Sequence, residues 1–503
     1  MNKKIALILI NSLMISVAFA ARAEVSQRPI SDQKTSLVTT TAGRQFSNWL
    51  VVFNSGTVEK IRQFISEHFA ETALKERGVD DRLESQMIHF YDTRGYEVRR
   101  VEQRQPEEIT AVLHSKLAQL WYRVTIKVEP QPPNKIVSFA RELISRPSEF
   151  GRTARPAPLE LLRELNALMR RLAAADAFSG AVLVARDRKP IFVKAYGKAS
   201  VAYNFPNRAD TKFNLASLNK MFTAVAIAQL SEQGKLAFDD PIAKLLPDYP
   251  NKDVARRVTV HQLLTHTSGM GSYFGDKLID ERMKFKTVRD YFPLFVNEPL
   301  SFEPGKDWQY SNSGYLVLGA IIEKVSGEDY FNYVRKHIYQ PAGMLNTDSY
   351  ELDRYVPDLA TGYTNADRKF HFQLNERRNI LIFQGFKGSP AGGGYSTVDD
   401  LLRFRTALHE HKLLNSQSAT LVMSEKVKSG KPGVMYGYGF EIERVNGETI
   451  VGHSGGALGA NAFFEMYVKS GYTVVVLSNY DRGGNLVAAK LREMIAGNDS
   501  RTQ

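Results

Sequence analysis

The fold of this chain is decided by one short stretch, FNLASLNK at residues 213–220, which leads into an apolar helical pattern ending at Gly234. Residues three apart lie on one face of a helix, so Lys220 can reach the hydroxyl of Ser217. A serine hydroxyl is a poor nucleophile until a base takes its proton, and a lysine can serve if its pKa is lowered by desolvation and neighbouring positive charge. The stretch therefore predicts a nucleophilic serine and its base. Taken alone, the same spacing also fits an N-cap serine followed by a surface lysine.

Two further motifs carry groups suited to the same chemistry. PGKDWQYSNSGY at residues 304–315 offers the phenol of Tyr310, which can relay a proton, and the amide of Asn312, which both donates and accepts hydrogen bonds. GHSGG at residues 452–456 places Gly455 and Gly456 where small residues let a backbone N–H approach a substrate carbonyl, as an oxyanion hole requires. Each motif also has an ordinary structural explanation. The first fits a capped loop before a helix, and the second fits a tight bend in a strand.

In this order, the three motifs resemble those of the serine β-lactamase superfamily, which includes class C β-lactamases, D,D-peptidases, esterases and D-aminopeptidases. Two accessory stretches agree with the likeness, HQLLTHTSG at residues 261–269 and AGGGYST at residues 391–397, and the likeness covers roughly residues 159–497. The resemblance implies a mixed α/β fold: an antiparallel sheet flanked by helices, plus a helical subdomain.

The resemblance also implies a role for each site residue. Ser217 is acylated, and Lys220 and Tyr310 share the general-base work. Asn312 holds the substrate amide, and the backbone N–H groups of Ser217 and Gly456 form the oxyanion hole, with Gly455 on the same substrate-binding strand.

His453 departs from the family pattern. Typical β-lactamases and D,D-carboxypeptidases have a lysine at this position, where a permanent cation helps to hold a substrate carboxylate, whereas histidine is largely neutral at pH 7. The substitution favours an ester- or amide-cleaving relative with a less acidic substrate over an enzyme acting on β-lactams or peptidoglycan stems.

Other patterns are weaker candidates for a site. GHSGG also fits the Gly-x-Ser-x-Gly elbow of α/β-hydrolases, but a strand-like segment follows Ser454 and no histidine comes after it, so we reject the elbow. His409 and His411 have no evident third metal ligand. We expect His261 and His266 to support loop packing.

The remaining pattern predicts three parts: a signal peptide (residues 1–23), a small α+β domain (24–150) and the hydrolase domain (151–503). In the small domain we expect a strand at Trp49–Phe53, a helix near Val58–Phe69 and a strand at Leu120–Val128. Proline-rich residues 145–158 read as a linker. Strand patterns at both ends of the hydrolase domain predict one sheet assembled from both ends, with a largely helical middle.

The N-terminus predicts export. Lys3 and Lys4 precede an apolar run at residues 5–20, followed by the small-x-small sites AFA and ARA, which is typical of a signal peptide cleaved after Ala20 or Ala23. The run is shorter than the roughly 20 residues needed to cross a bilayer. We therefore expect a periplasmic or secreted protein without a transmembrane segment.

The composition restricts the function further. The 503 residues are 43% hydrophobic and 24% charged, as in globular proteins, and the formal charge of +12 comes without a nucleic-acid-binding motif. There are no cysteines, which rules out a thiol nucleophile, zinc thiolate sites and iron–sulfur clusters. We expect no metal or organic cofactor, no nucleic-acid partner and a small-molecule or peptide substrate; the oligomeric state is not predicted.

Together these features predict an exported serine hydrolase that cleaves an ester or amide through an acyl-enzyme. The alternatives are a non-catalytic penicillin-binding-like sensor or cell-wall binding protein, and a true β-lactamase or D,D-peptidase. Formation and clearance of an acyl-enzyme separate the first alternative from an enzyme.

Overall fold

The computed structural model describes residues 37–151, 155–366 and 377–497. The predicted signal peptide, residues 1–23, lies outside the described residues. We refer to residues 37–151 as the N-terminal region and to the described residues from 155 to 497 as the C-terminal region.

The N-terminal region consists of helices followed by a four-stranded antiparallel sheet. The strands are joined in chain order, so the sheet is a simple meander. The sheet packs on the helices through one apolar core that contains Phe46, Trp49, Ile109 and Val124. The elements are α1 (Thr41–Ser55), α2 (Val58–His68), α3 (Glu71–Glu76), α4 (Val79–Thr93), β1 (Tyr96–Arg104), β2 (Glu108–Ser115), β3 (Trp121–Val128) and β4 (Ile136–Ile144).

The predicted strand at Trp49–Phe53 is wrong, because these residues lie in α1. Phe46, Trp49 and Phe53 are spaced by three and four residues and are at most 2% exposed, which is the period of a helix face. Thr40 caps the helix by accepting a hydrogen bond from the Gly43 N–H. The predicted helix near Val58–Phe69 and the strand at Leu120–Val128 are confirmed within a residue.

The C-terminal region is built on an eight-stranded antiparallel sheet. Its strand order is β13-β14-β15-β16-β17-β18-β5-β6, so the last strands of the chain pair with the first strands of this region, as the sequence predicts. The Asn446-Gly447 turn joins β15 to β16 with both residues at positive φ, as a tight hairpin needs. The strands of the region are β5 (Gly180–Arg186), β6 (Lys189–Tyr196), β7 (Lys198–Ser200), β8 (Phe205–Pro206), β9 (Phe213–Asn214), β10 (Tyr363–Thr364), β11 (Arg378–Asn379), β12 (Tyr395–Ser396), β13 (Val427–Lys428), β14 (Val434–Tyr436), β15 (Glu441–Val445), β16 (Glu448–Ala457), β17 (Ala460–Tyr467) and β18 (Tyr472–Ser478).

Helices cover both faces of this sheet. The largest group forms the layer that carries the site, and its central helix, α6, is buried almost all round, which places it in the interior. The helices are α5 (Pro158–Ala174), α6 (Asn219–Glu232), α7 (Ile242–Leu245), α8 (Lys252–Arg257), α9 (Val260–Leu264), α10 (Asp276–Asp280), α11 (Asn312–Ser326), α12 (Tyr330–Val334), α13 (Gln340–Ala342), α14 (Val398–His409), α15 (Ser416–Val422) and α16 (Gly483–Ala496).

Side chains alternate between the two faces of the sheet. Leu183 and Val475 join the core shared with α6 and α11, whereas Val182 and Val474 join the core shared with α5 and α16. This period of two explains why these strands are apolar throughout, since both faces are buried.

The N-terminal region packs directly on the C-terminal region. Leu117 and Leu120 belong to the same apolar cluster as Leu168 of α5 and Leu491 of α16. Among the described residues, no helix combines the length and the apolar character needed to cross a membrane.

Candidate active site

Ser217 lies in a single 3₁₀ turn, Ala216–Leu218, at the entrance to α6. The turn is strained, since Ala216 has a φ of 45°, in the left-handed region that L-residues rarely adopt. Two contacts hold it there: the Ala216 N–H donates to Asn214 Oδ1 at 2.8 Å, and the Gly393 N–H donates to the Ala216 carbonyl at 3.1 Å. The accessory stretch around Gly393 therefore fixes the backbone of the predicted nucleophile.

Lys220 follows one turn later, and its amine is the centre of the site. The side chain is fully buried, and Nζ lies 3.3 Å from Ser217 Oγ. Nζ also donates to Asn312 Oδ1 at 2.7 Å and to the Ala391 carbonyl at 2.6 Å. The structure thus brings together the predicted Ser217 and Lys220 from one stretch, the predicted Asn312 from a second and Ala391 from a third.

These contacts favour a neutral amine that faces the serine. Burial lowers the pKa of Lys220 well below its ordinary value of 10.5. A neutral amine has two N–H donors and one lone pair. The two shortest contacts are to the oxygens of Asn312 and Ala391, which can only accept. The lone pair is then left for the Ser217 hydroxyl, as a general base requires.

Tyr310 packs above this amine. Its ring centroid lies 4.8 Å from Lys220 Nζ. Burial raises the pKa of the Tyr310 phenol well above 10, and a hydrogen bond with Ser217 partly opposes that rise. Tyr310 therefore holds its proton at neutral pH and stands beside the serine as a proton donor.

The loop and helix that carry Tyr310 and Asn312 are held by local hydrogen bonds. Ser311 caps α11, with its Oγ accepting from the Gly314 N–H at 3.0 Å and donating to the Gly271 carbonyl at 2.8 Å. The Asn312 amide donates to Ser272 Oγ at 3.1 Å. The contact with Ser272 holds the Asn312 amide group so that its carbonyl oxygen faces Lys220 Nζ.

His266 supports this loop, in agreement with the sequence-based expectation. Its Nδ1 accepts from the Ser311 N–H at 3.0 Å, and its ring lies 4.3 Å from the ring of Tyr310. Burial lowers the pKa of His266 well below 6.5. A neutral imidazole can accept from a backbone N–H, so its role here is positional. His261, by contrast, pairs with the hydroxyl of Tyr438 away from the serine.

Strand β16 forms the opposite wall of the site. A Cβ added at Gly455 would lie 2.5 Å from the Leu215 carbonyl oxygen and 3.1 Å from the Ser217 nitrogen, so only glycine allows the strand this close to the nucleophile. Gly456 is exposed and has open space around it. The pair predicted as the oxyanion strand therefore lies against the serine turn.

His453 is buried beside these glycines and is neutral. Its Nδ1 lies 2.6 Å from the Ser454 carbonyl and so carries the proton, while Nε2 accepts from the Tyr436 hydroxyl at 2.9 Å. Burial lowers the pKa of His453 to about 4; Glu441 opposes the shift, and the charge of Lys431 adds to it. His453 supplies no cation at neutral pH.

Two charged residues near the strand were missed by sequence reasoning. Lys431 donates to Glu441 Oε1 at 2.5 Å and to Ser454 Oγ at 3.3 Å, and the Ser454 hydroxyl donates to Glu441 Oε2 at 3.2 Å. Burial works to raise the pKa of Glu441, but the Lys431 ammonium outweighs it, and the pKa is about 2. Neither residue lies in a recognisable motif, and only the pairing of β14, β15 and β16 brings them to the site.

The structure also shows where the two rejected motifs lie, the α/β-hydrolase elbow and the histidine pair. Ser454 lies inside a continuous strand, not in a turn between a strand and a helix, which agrees with the rejection of the α/β-hydrolase elbow. His409 and His411 lie at and just beyond the end of α14, and the described residues contain no group of three or more His, Asp or Glu side chains placed to hold a metal.

The fold and these motifs define the class of protein. A family model described as Beta-lactamase matches residues 165–497. The matched segment contains every residue of the site described above. The chain therefore belongs to the β-lactamase family, within the superfamily of serine β-lactamases and penicillin-binding proteins.

Individual relatives agree with this assignment. Penicillin-binding protein 4* of Bacillus subtilis (strain 168) is 30% identical over 328 residues, which are 63% of this chain and 71% of that protein. Esterase EstB of Burkholderia gladioli is 34% identical over 256 residues, 46% of this chain and 65% of that protein. The crystal structure of a penicillin binding protein from Bacillus halodurans is 31% identical, with a TM-score of 0.59, and covers 66% of this chain and 99% of that one.

Proposed function

We propose that this protein is an exported serine hydrolase that cleaves an ester or amide through a covalent acyl-enzyme on Ser217. The observation that carries the proposal is the buried amine of Lys220, 3.3 Å from Ser217 Oγ with its two N–H donors engaged elsewhere. A group in that state can accept the serine proton, whereas an N-cap serine with a surface lysine would leave the amine solvated and charged.

The two catalytic proton transfers are divided between Lys220 and Tyr310. The neutral Lys220 amine takes the proton of Ser217 as Oγ forms a bond to the substrate carbonyl carbon. The Tyr310 phenol gives its proton to the departing alcohol or amine as the scissile bond breaks, and it regains a proton from the Lys220 ammonium. Water then attacks the acyl carbon by the same route in reverse, which frees Ser217 and the acid product.

The oxyanion hole is formed by the backbone N–H groups of Ser217 and Gly456. The positions of two glycines support this assignment. Gly455 allows β16 to lie against the serine turn, and Gly456 next to it is exposed. Backbone donors fixed at this spot stabilise the negative charge that develops on the substrate carbonyl.

The substrate is uncharged on the side that faces β16. His453 is neutral there, and the charges of Lys431 and Glu441 compensate each other. A free carboxylate at this position would meet no uncompensated cation and would lie near Glu441. An ester or simple amide fits this environment better than a β-lactam or a peptidoglycan stem, each of which bears a carboxylate.

The first test compares two serine variants. Ser217→Ala should lower kcat/KM for a short p-nitrophenyl ester by at least about 10⁴-fold, because it removes the nucleophile. Ser454→Ala should leave most of the activity, because this hydroxyl bonds Glu441 instead. Intact-protein mass spectrometry with a fluorophosphonate, the ester and a penicillin should give one adduct on Ser217, with the ester adduct clearing over time.

Other outcomes would assign a different function. The reverse order of the two variants would refute Ser217 as nucleophile. A folded protein that forms no adduct with any reagent would be a non-catalytic binding protein, and rapid turnover of the penicillin would make it a true β-lactamase.

The preference for uncharged substrates is tested at His453. His453→Lys should lower KM for an ester that bears a free carboxylate relative to its methylated counterpart, by roughly 10-fold if a charge-assisted hydrogen bond forms. Equal KM ratios in the wild type and the variant would show that residue 453 does not face the substrate.

A further inference from the structure

A second polar cluster lies far from Ser217, where the N-terminal region meets the C-terminal region. Its side chains come from α4, β1, β3 and β4 and from the residue that precedes α16. We call it the junction cluster, and it consists of His89, Asp92, Tyr96, Tyr122, Arg141 and Arg482.

Arg141 is the centre of the junction cluster. Its guanidinium carbon lies 5.1 to 5.8 Å from the centroids of four aromatic rings, those of Trp49, Phe53, Tyr96 and Phe139. Its Nη2 donates to Gln86 Oε1 at 2.8 Å. That oxygen also accepts from the indole of Trp49, so a single amide oxygen serves two donors.

Several polar atoms of the junction cluster remain without a partner. Within the part of the chain that the structure describes, no hydrogen bond is made by the buried atoms Tyr96 Oη, His89 Nδ1, Arg141 Nε and Arg482 Nε. Tyr96 is only 1% exposed. Buried polar atoms are usually paired, so these atoms are available to a further group.

The two arginines of the junction cluster differ in their partners. Arg482 pairs with Asp92 at 2.5 Å, whereas Arg141 has no carboxylate partner among the described residues. Burial and the two arginines lower the pKa of His89 well below 6.5, so it is neutral. The Asp481 carboxylate, which accepts from the Gly459 N–H and the Thr364 hydroxyl, also helps to raise the pKa of Arg482. The Arg141 guanidinium therefore has an amide oxygen beside it but no carboxylate.

We propose that the junction cluster binds a small organic carboxylate, with the Arg141 guanidinium as its main anchor and the Tyr96 hydroxyl as a second donor. A planar guanidinium matches the two oxygens of a carboxylate, and a phenol adds a hydrogen bond to the same group. The rings around Arg141 suit the apolar part of such a molecule. Arg482 of the C-terminal region belongs to the same cluster, so the site reaches the boundary between the two regions.

The proposal is tested by titrating the full chain with sodium acetate and with sodium benzoate. The ionic strength is held constant, and sodium chloride serves as the control salt. Trp49 lies beside Arg141, so its fluorescence should report binding. The wild type should show a saturable change with acetate or benzoate that chloride does not give. Arg141→Met should weaken the affinity by roughly 10-fold or more because it removes the charged guanidinium, and Tyr96→Phe by several-fold because it removes one hydroxyl donor; both keep most of the side-chain bulk.

Two controls separate this site from the active site and from general effects of charge. Ser217→Ala should bind the carboxylates as the wild type does. Arg62→Met removes a half-exposed arginine of the same region that pairs with Asp80, and it should also leave the affinity unchanged. The proposal would be overturned if the wild type gave no saturable signal or responded equally to chloride. It would also be overturned if both Tyr96→Phe and a folded Arg141→Met kept the wild-type affinity.

Discussion

The amine of Lys220 touches two carbonyl oxygens and one hydroxyl, and its protonation state decides whether Ser217 can react. At the residue scale, burial is what sets that state, because desolvation alone lowers the pKa of Lys220. The phenol of Tyr310 responds to the same burial in the opposite direction and keeps its proton. One enclosed environment thus favours a neutral amine and a protonated phenol side by side, as the proposed mechanism requires.

This pair predicts the pH dependence of the reaction. The neutral form of Lys220 is the active one, so kcat/KM should rise as the pH rises through the pKa of Lys220. Since that pKa lies well below 10.5, the rising limb should lie well below pH 10.5, and loss of the Tyr310 proton should lower the rate only above pH 10. A pH profile of ester hydrolysis checks this.

Lys220→Arg is the matched variant for the same prediction. Arginine keeps the charge at all of these pH values and cannot act as a base. The variant should lose about 10²- to 10⁴-fold in kcat/KM, the range typical of general-base catalysis. A rising limb that persisted unchanged in Lys220→Arg would assign the titration to another group.

At the scale of elements, the site depends on how closely β16 approaches the 3₁₀ turn that carries Ser217. The glycines at the end of β16 have different surroundings: a Cβ at Gly455 would meet the Leu215 carbonyl at 2.5 Å, while one at Gly456 would meet no atom within 4 Å. The distance between strand and turn is therefore set by Gly455.

The two glycines give a matched pair of variants. Gly455→Ala should push β16 away from the serine turn and lower kcat by roughly 10²-fold, the cost expected when an oxyanion donor is displaced. Gly456→Ala keeps the backbone N–H and has room for the methyl group, so it should change kcat only a few-fold. Steady-state ester hydrolysis by the two purified variants measures this, and equal losses would contradict the assignment of Gly455.

At the scale of the whole molecule, the N-terminal and C-terminal regions share one apolar cluster. Leu117 and Leu120 from the first region pack with residues of α5 and α16, and Asp92 pairs with Arg482 across the same junction. A shared core of this kind couples the unfolding of its parts, because neither side keeps its burial when the other opens.

Leu120→Ala tests this coupling. Leu120 is 3% exposed, so the substitution should lower the free energy of unfolding by about 2–4 kcal/mol. Denaturant unfolding followed by circular dichroism and by loss of hydrolytic activity should show both signals shifting together. Leu345→Ala, at a leucine that is 83% exposed, should change the free energy of unfolding by less than about 0.5 kcal/mol. Two separated transitions in the wild type would show that the regions unfold independently.

The sequence predicted those features that depend on short-range spacing. The three-residue spacing of Ser217 and Lys220 is such a feature, and the two side chains lie 3.3 Å apart, as the spacing predicts. The prediction of a strand at Trp49–Phe53 also used short-range spacing, and it was wrong, because a short aromatic run fits either a strand or one face of a helix. Its neighbour Phe46 supplies the helical period that decides between them.

By itself, then, the sequence determined the family, the antiparallel sheet built from both ends and the order of the site motifs. Only the tertiary structure decided the state of the groups in the site. The partner of Lys220 at Ala391, the neutral form of His453 and the Lys431–Glu441 pair all depend on residues brought together from separate elements. The physical reason is that a pKa depends on burial and on neighbouring charges, which are properties of the packed molecule and not of spacing along the chain.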